Sequence, residues 1–233
     1  MKRFWREVQV TPRDAGHQVE LDRRPLRTPG RRPLVTPSAA LAEAIAAEWR
    51  GQGEEVLPRT MPLTRLASTA VDRMPDLRAA ARGELMAFAG TDLVCYRAAH
   101  PPDLVRRQDE VWTPVLAWLE QRFGAPLRVA AAIAPVDQPD ASLERLRRRV
   151  EALDDWALVG LHALVQPLGS FALGLAVLEG RLDAEAALQA SLLDELFEIE
   201  RWGWDVEIDR RHQALRAEVS AAAAFLAALR PDG

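Results

Sequence analysis

The pattern of this chain changes at Thr36-Pro37-Ser38, and that change restricts the fold more than any other feature. Before it, short β-prone runs are separated by turn formers. After it, apolar residues recur at steps of three and four, which is helical spacing. Residues 3–10 partly alternate, Asp14-Ala-Gly16 reads as a turn, and Val19 and Leu21 alternate within His17–Asp22. Further turns are expected at Arg24-Pro25 and Pro29-Gly30, and the last short run ends at Pro33-Leu-Val35. Arginines along these runs would blunt open sheet edges. The reading is a small meander of hairpins.

Beyond the switch, Ser38 is placed to cap a helix carrying Leu41, Ile45, Glu48 and Trp49, which Gly51 and Gly53 end. Pro62 and Thr64 open a second helix, and residues 76–89 form a third. A long amphipathic helix is expected from Pro101 to Phe123 with Pro114 inside it. Four more are expected over about 140–153, 155–178, 183–203 and 205–229. Thr91–Arg97 reads as a short β-like run, and 127–134 fits strand or helix equally. The expected class is therefore α+β: a small N-terminal β-rich meander domain followed by a larger, mainly α-helical domain. The boundaries are 1–36, or about 60 on its widest reading, and 37–233.

One stretch, Trp156–Leu178, approaches the apolar length of a membrane span. Its glycines, Gln166 and Pro167 divide it, so a buried helix pair split at Pro167-Leu-Gly169 is expected, with no membrane insertion. The opening Met1-Lys2-Arg3 runs straight into Phe-Trp-Arg-Glu with no apolar leader, which suggests a soluble protein of a reducing compartment.

Signatures of catalysis are weak. Cys95 is the single cysteine, which excludes an internal disulfide and a cysteine-based zinc site. Its apolar neighbours favour an inert thiol. His17, His100, His162 and His212 have no metal-ligand spacing. The Gly174 to Gly180-Arg181 stretch lacks the Lys-Ser/Thr of a phosphate loop, and Gly169-Ser170-Phe171 lacks the second glycine of a nucleophile elbow. Asp154/Asp155 and Asp194/Glu195 are adjacent pairs, which diverge by about 100° on a helix. No cofactor, metal or catalytic residue is expected.

Charge is distributed unevenly. Residues 1–36 hold nine Lys/Arg against four acids, while residues 179–209 hold ten acids against Arg181 and Arg201. Only Phe4 and Trp5 accompany the basic end, too few stacking residues for a nucleic-acid site. The acidic end is densest from Leu192 to Asp205, where five carboxylates alternate with large apolar side chains and two tryptophans. As a helix, Leu192, Leu196, Ile199 and Trp202 or Gly203 would share a stripe. The pattern leaves two readings open: a packed helix with a solvated acidic face, or a docking surface for another protein.

A series of motifs running in order through the chain resembles one family. They are Lys2-Arg3-Phe4-Trp5; Leu21-Asp22-Arg23-Arg24-Pro25-Leu26-Arg27-Thr28-Pro29; Leu41-Ala-Glu43 through Glu48-Trp49; Met61-Pro62-Leu63-Thr64-Arg65-Leu66; Thr91-Asp92-Leu93-Val94-Cys95-Tyr96-Arg97; Gln108 through Trp112 to Trp118; Gly169-Ser170; Gly180-Arg181; and Leu193-Asp194-Glu195 to Trp202-Gly203. Arg23 stands where the family usually has a loop glycine. The family is the assembly chaperone of the ATP synthase catalytic head. The resemblance implies a two-part fold without cofactor or catalysis, and a protein client, the free alpha subunit, held from aggregation until beta replaces the chaperone. It further implies a bacterial, cytoplasmic, monomeric member that binds no nucleic acid, with eukaryotic relatives in the mitochondrial matrix. The candidate partner-binding residues are Glu195, Asp194, Phe197, Glu198, Trp202 and Trp49. The competing reading is a carboxylate-dependent hydrolase or transferase built around Asp92, Asp194 and Glu195. A further alternative is nucleic-acid binding through the basic N-terminus.

Overall fold

The computed structural model describes residues 2–131 and 136–230. An antiparallel N-terminal sheet is followed by a mainly helical remainder, the α+β class expected. Two compact units emerge. Among the described residues, the first comprises 2–78, 154–160 and 221–230; the second comprises 79–131, 136–153 and 161–220.

In the first unit, β1 (Val8–Arg13) and β2 (Gly16–Leu21) form a hairpin in which Val8 faces Leu21 and Arg13 faces Gly16. Gly16 has φ +136°, and a Cβ there would lie 2.2 Å from the Thr36 carbonyl oxygen, so no larger residue fits. β2 also pairs with β3 (Arg24–Pro25) and with β4 (Val35–Thr36). Its Val19 and Leu21 enter the core. Gln18 and Glu20 on its other face are buried too, because Arg13 lies over them and donates to both, at 2.9 and 2.6 Å.

Helix α1 (Ala39–Arg50) begins where Ser38 Oγ accepts from the Leu41 N–H. It presents Leu41, Ile45 and Trp49 to the sheet at one helical face. Trp49 meets Trp5 edge-on at 4.9 Å, and Phe225 closes the same core while stacking with Trp156.

Helix α2 (Pro62–Asp72) has no cap of its own. Glu48 of α1 supplies one, accepting from the Leu63 and Thr64 N–H groups at 2.7 and 2.8 Å and from Thr64 Oγ1 at 2.6 Å. At the other end of α2, Asp72 accepts from Thr28 Oγ1 and the Gly30 N–H, both at 2.7 Å. Helix α3 (Met74–Gly90) follows.

The second unit is built around α7 (Phe171–Leu178), whose residues 171–177 are all buried. It packs on α4 (Pro102–Phe123) and α8 (Ala184–Ser191). Helices α5 (Asp140–Glu151), α6 (Asp155–Leu168), α9 (Leu193–Trp202) and α10 (Val206–Leu229) complete the chain. Trp112 of α4, fully buried, donates from Nε1 to the Ala190 carbonyl at 2.8 Å, and Arg97 lies over its ring.

Three local expectations change. Thr91–Arg97 is chiefly a short 3-10 turn, Leu93–Cys95, followed by the two-residue strand β5 (Tyr96–Arg97). Asp92 forces the turn by accepting from the Val94 N–H. β5 pairs in parallel with β6 (Ala130–Ala131), which settles the start of the ambiguous 127–134 run as strand; residues 132–134 lie outside the described residues. The helix expected over 183–203 is two helices, α8 and α9, divided at Leu192 with φ −92° and ψ 7°. No Gly or Pro marks that break. The split expected at Pro167-Leu-Gly169 is present, with Gly169 at φ +62°. No helix among the described residues is long and apolar enough to cross a membrane.

Candidate functional site

Helix α9 carries the acidic segment singled out by its sequence. Leu193, Phe197 and Ile199 are its buried residues, while Leu192 and Leu196 are half-buried, so the packed stripe is shifted from the one expected. Phe197 is 3% exposed and has two guanidiniums near its ring, Arg201 at 4.1 Å and Arg107 at 5.2 Å from its centre. Arg107 also donates to Glu200 at 2.8 Å, and that bond holds the Glu200 carboxyl below its ordinary range.

The acids on α9 divide by role. Asp194 is exposed yet accepts from Gln108 Nε2 at 2.7 Å. Glu195 is half-buried; burial raises its carboxyl's pKa, but hydrogen bonds from Arg211 and His212 outweigh that, so it stays ionised below the usual glutamate value. Glu198 accepts from Trp202 Nε1 at 3.0 Å, which lays the indole along the helix surface.

The helix stops at Gly203, φ +95°, and Asp205 caps α10 by accepting from the Glu207 and Ile208 N–H groups at 2.7 and 2.8 Å. Between these two ends the chain turns outward. Trp202 is 82% exposed, Trp204 58% and Val206 67%. Trp204 also meets His212 edge-on at 5.3 Å. Three large apolar side chains, bordered by Glu198, Glu207 and Asp209, thus stand in solvent within one short segment. Leaving such residues exposed forfeits their burial, and contiguous apolar surface with a polar rim is the usual form of a protein-binding face.

Of the six candidates, Asp194, Glu195, Phe197, Glu198 and Trp202 share α9, with Trp202 and the acids at the surface and Phe197 inside. Trp49 lies in the core of the first unit at 9% exposure. Trp204 and Val206 were not among the candidates. Trp204 is the second tryptophan of the acidic stretch, and the sequence signal for Val206 is its place beside the aspartate that starts the next helix.

The other chemical groups are occupied or shielded. Asp92 is fully buried and accepts from Ser170 Oγ at 2.6 Å and the Ala172 N–H at 2.8 Å; burial pushes its pKa up to about 6 against those bonds. Cys95 is buried, and burial pushes its thiol up to about 12. Asp92, Asp194 and Glu195 are therefore held by three separate sets of donors. Among the described residues no group of three or more His, Cys, Asp or Glu side chains is placed to hold a metal.

Comparison with known proteins gives a consistent result. Residues 2–120 match the family described as ATP12 chaperone protein. The crystal structure of Atp12 from Paracoccus denitrificans superposes with a TM-score of 0.94 at 42% identity, over 98% of each chain. The mitochondrial protein atp12 of Schizosaccharomyces pombe is 26% identical over 214 residues, covering 87% of this chain and 74% of that one. The mitochondrial ATP12 of Saccharomyces cerevisiae is 23% identical over 274 residues, covering 96% and 84%.

Proposed function

The chain belongs to the ATP12 chaperone family, and from that premise we propose that it holds the free alpha subunit of the ATP synthase catalytic head, preventing its aggregation until beta takes its place. The observation that carries this reading is the exposed Trp202–Val206 segment within an acidic border. An unassembled subunit exposes an interface that drives aggregation. A holder must cover it with affinity enough to protect and weak enough to release. A few aromatic anchors supply the affinity, and charges at the rim steer the encounter.

Release needs no chemistry on this reading, because beta competes for the same client surface. The protein acts without cofactor or catalysis, as a monomer in the bacterial cytoplasm. Asp194, Glu195 and Glu198 supply the negative field, and Phe197 with its two arginines forms the rigid shelf from which Trp202 projects.

The test is light scattering of purified alpha subunit, diluted from denaturant with and without the protein. Glu195→Lys is a poor probe, since it sets a second cation beside Arg211, takes away the partner of His212 and would weaken α9–α10 packing. Trp202→Ala with Trp204→Ala is cleaner. We expect the pair to raise the concentration needed for protection at least about tenfold, with circular dichroism and Tm unchanged. Undiminished protection would remove this face from the site.

A further inference from the structure

The first unit contains a cleft that the acidic helix does not share. Its volume is about 830 Å³, within the range of roughly 300–1,000 Å³ in which bound side chains or small ligands are enclosed. Trp49, Val56, Pro58 and Met61 supply its apolar lining. Around it stand Arg27, Arg65 and Arg73, all exposed. None of the three guanidiniums is within ion-pair distance of a carboxylate among the described residues. Asp72, the carboxylate on the lining, is consumed by Thr28, Gly30 and Arg32.

Trp49 is about nine-tenths buried, yet its indole Nε1–H has no acceptor among the described residues. The cleft thus offers apolar enclosure and, at its rim, three cations outside ion-pair distance of any carboxylate among the described residues, of which Arg27 donates to the Arg31 carbonyl.

We propose that this cleft is a second holding site, which takes an extended client segment carrying a bulky apolar side chain next to a carboxylate. The apolar side chain covers Trp49 and Met61, and the acidic neighbour meets Arg65 and Arg73. A small metabolite would call for fixed polar groups converging inside the cavity. Here the cations sit on exposed side chains around the mouth, which suits a chain lying across it. The occupant rests on the chaperone reading given above. The charge preference is opposite to that of the α9–α10 face.

The experiment uses the whole protein labelled with ¹⁵N. The Trp49 indole resonance is assigned by its absence in Trp49→Phe. Two capped octapeptides are titrated in, one with Phe-Leu flanked by glutamates and one with the same core flanked by lysines. The expected result is a saturable shift of the Trp49 resonance with the acidic peptide alone, weakened at least about tenfold in Arg65→Glu/Arg73→Glu. Both arginines are exposed, so that variant should keep its Tm. No shift with the acidic peptide, an equal shift with the lysine peptide, or saturation by inorganic phosphate instead would overturn the proposal. In the alpha-subunit scattering assay, undiminished protection by Arg65→Glu/Arg73→Glu sinks the cleft and leaves the chaperone reading intact. Failure of the unaltered protein to protect sinks the chaperone reading, and this occupant with it.

Discussion

Two residues of the β2–β3 turn show how one position can be justified and its neighbour not. Asp22 and Arg23 have φ of 48° and 63°, the pair of left-handed residues that a tight two-residue hairpin requires. Asp22 has a local reason to be there. Its carboxylate accepts from the Glu7 and Arg6 N–H groups at 2.9 and 3.0 Å, and those bonds hold it below the ordinary aspartate range. Arg23 makes no such bond among the described residues and bears the steric cost of the left-handed region, on the order of 1 kcal/mol. Arg23→Gly should therefore stabilise the protein by up to about 1 kcal/mol, read from the urea midpoint. A loss of stability would mean that the arginine side chain contributes more than its backbone costs. The family's usual glycine at this position made the site visible in the sequence, although only the dihedral angles say why.

Elements of this fold are fastened by carboxylates reaching across from other elements. Glu48 caps α2, Asp72 ties the end of α2 to Thr28 and Gly30, and Asp92 ties the 3-10 turn to the start of α7. The quoted family motifs therefore interlock: Glu48-Trp49 with Met61-Pro62-Leu63-Thr64, and Thr91-Asp92 with Gly169-Ser170. Their order was legible in the sequence, and their pairing was not, because nothing local records a partner tens of residues away. The break at Leu192 was illegible for a different reason: apolar spacing continues through it without Gly or Pro. The Trp204–Val206 surface was missed because periodicity gives a helix's buried face and falls silent where the helix stops.

Asp92 gives this fastening a pH signature. Its native pKa, about 6, lies above the value of an unfolded aspartate, so between about pH 4 and 6 the native state binds more protons. Stability from this group is greatest below pH 4 and declines by up to about 3 kcal/mol as pH rises to 6, then levels off. Burial shifts Glu48 in the same direction, while Glu195 and Glu200 are shifted the opposite way. The difference between the native chain and Asp92→Asn isolates the term. Asp92→Asn should be destabilised by about 1–3 kcal/mol through lost acceptors, and its stability should lack this decline. Parallel pH curves for the two proteins would refute the assignment.

At the scale of the whole molecule, the basic N-terminal stretch and the acidic stretch at 179–209 point to association governed by charge. If the acidic border of Trp202 steers the client, raising salt from about 0.05 to 0.5 M should slow association several-fold and leave dissociation nearly unchanged. Trp202→Ala should do the reverse, which stopped-flow mixing with labelled alpha subunit would separate. An association rate indifferent to salt would confine these acids to solvation. The fold class could be read from the change of period at Thr36, whereas the cleft could not, since residues 27–30, 49–61 and 64–73 converge only when folded. Cys95, the chain's single thiol, is buried with its pKa at about 12. A protein that lingers on half-assembled partners risks exchanging sulfur bonds with whatever cysteines they expose. With its sulfur sealed inside and protonated, this one can hold such a partner and part from it without a covalent trace.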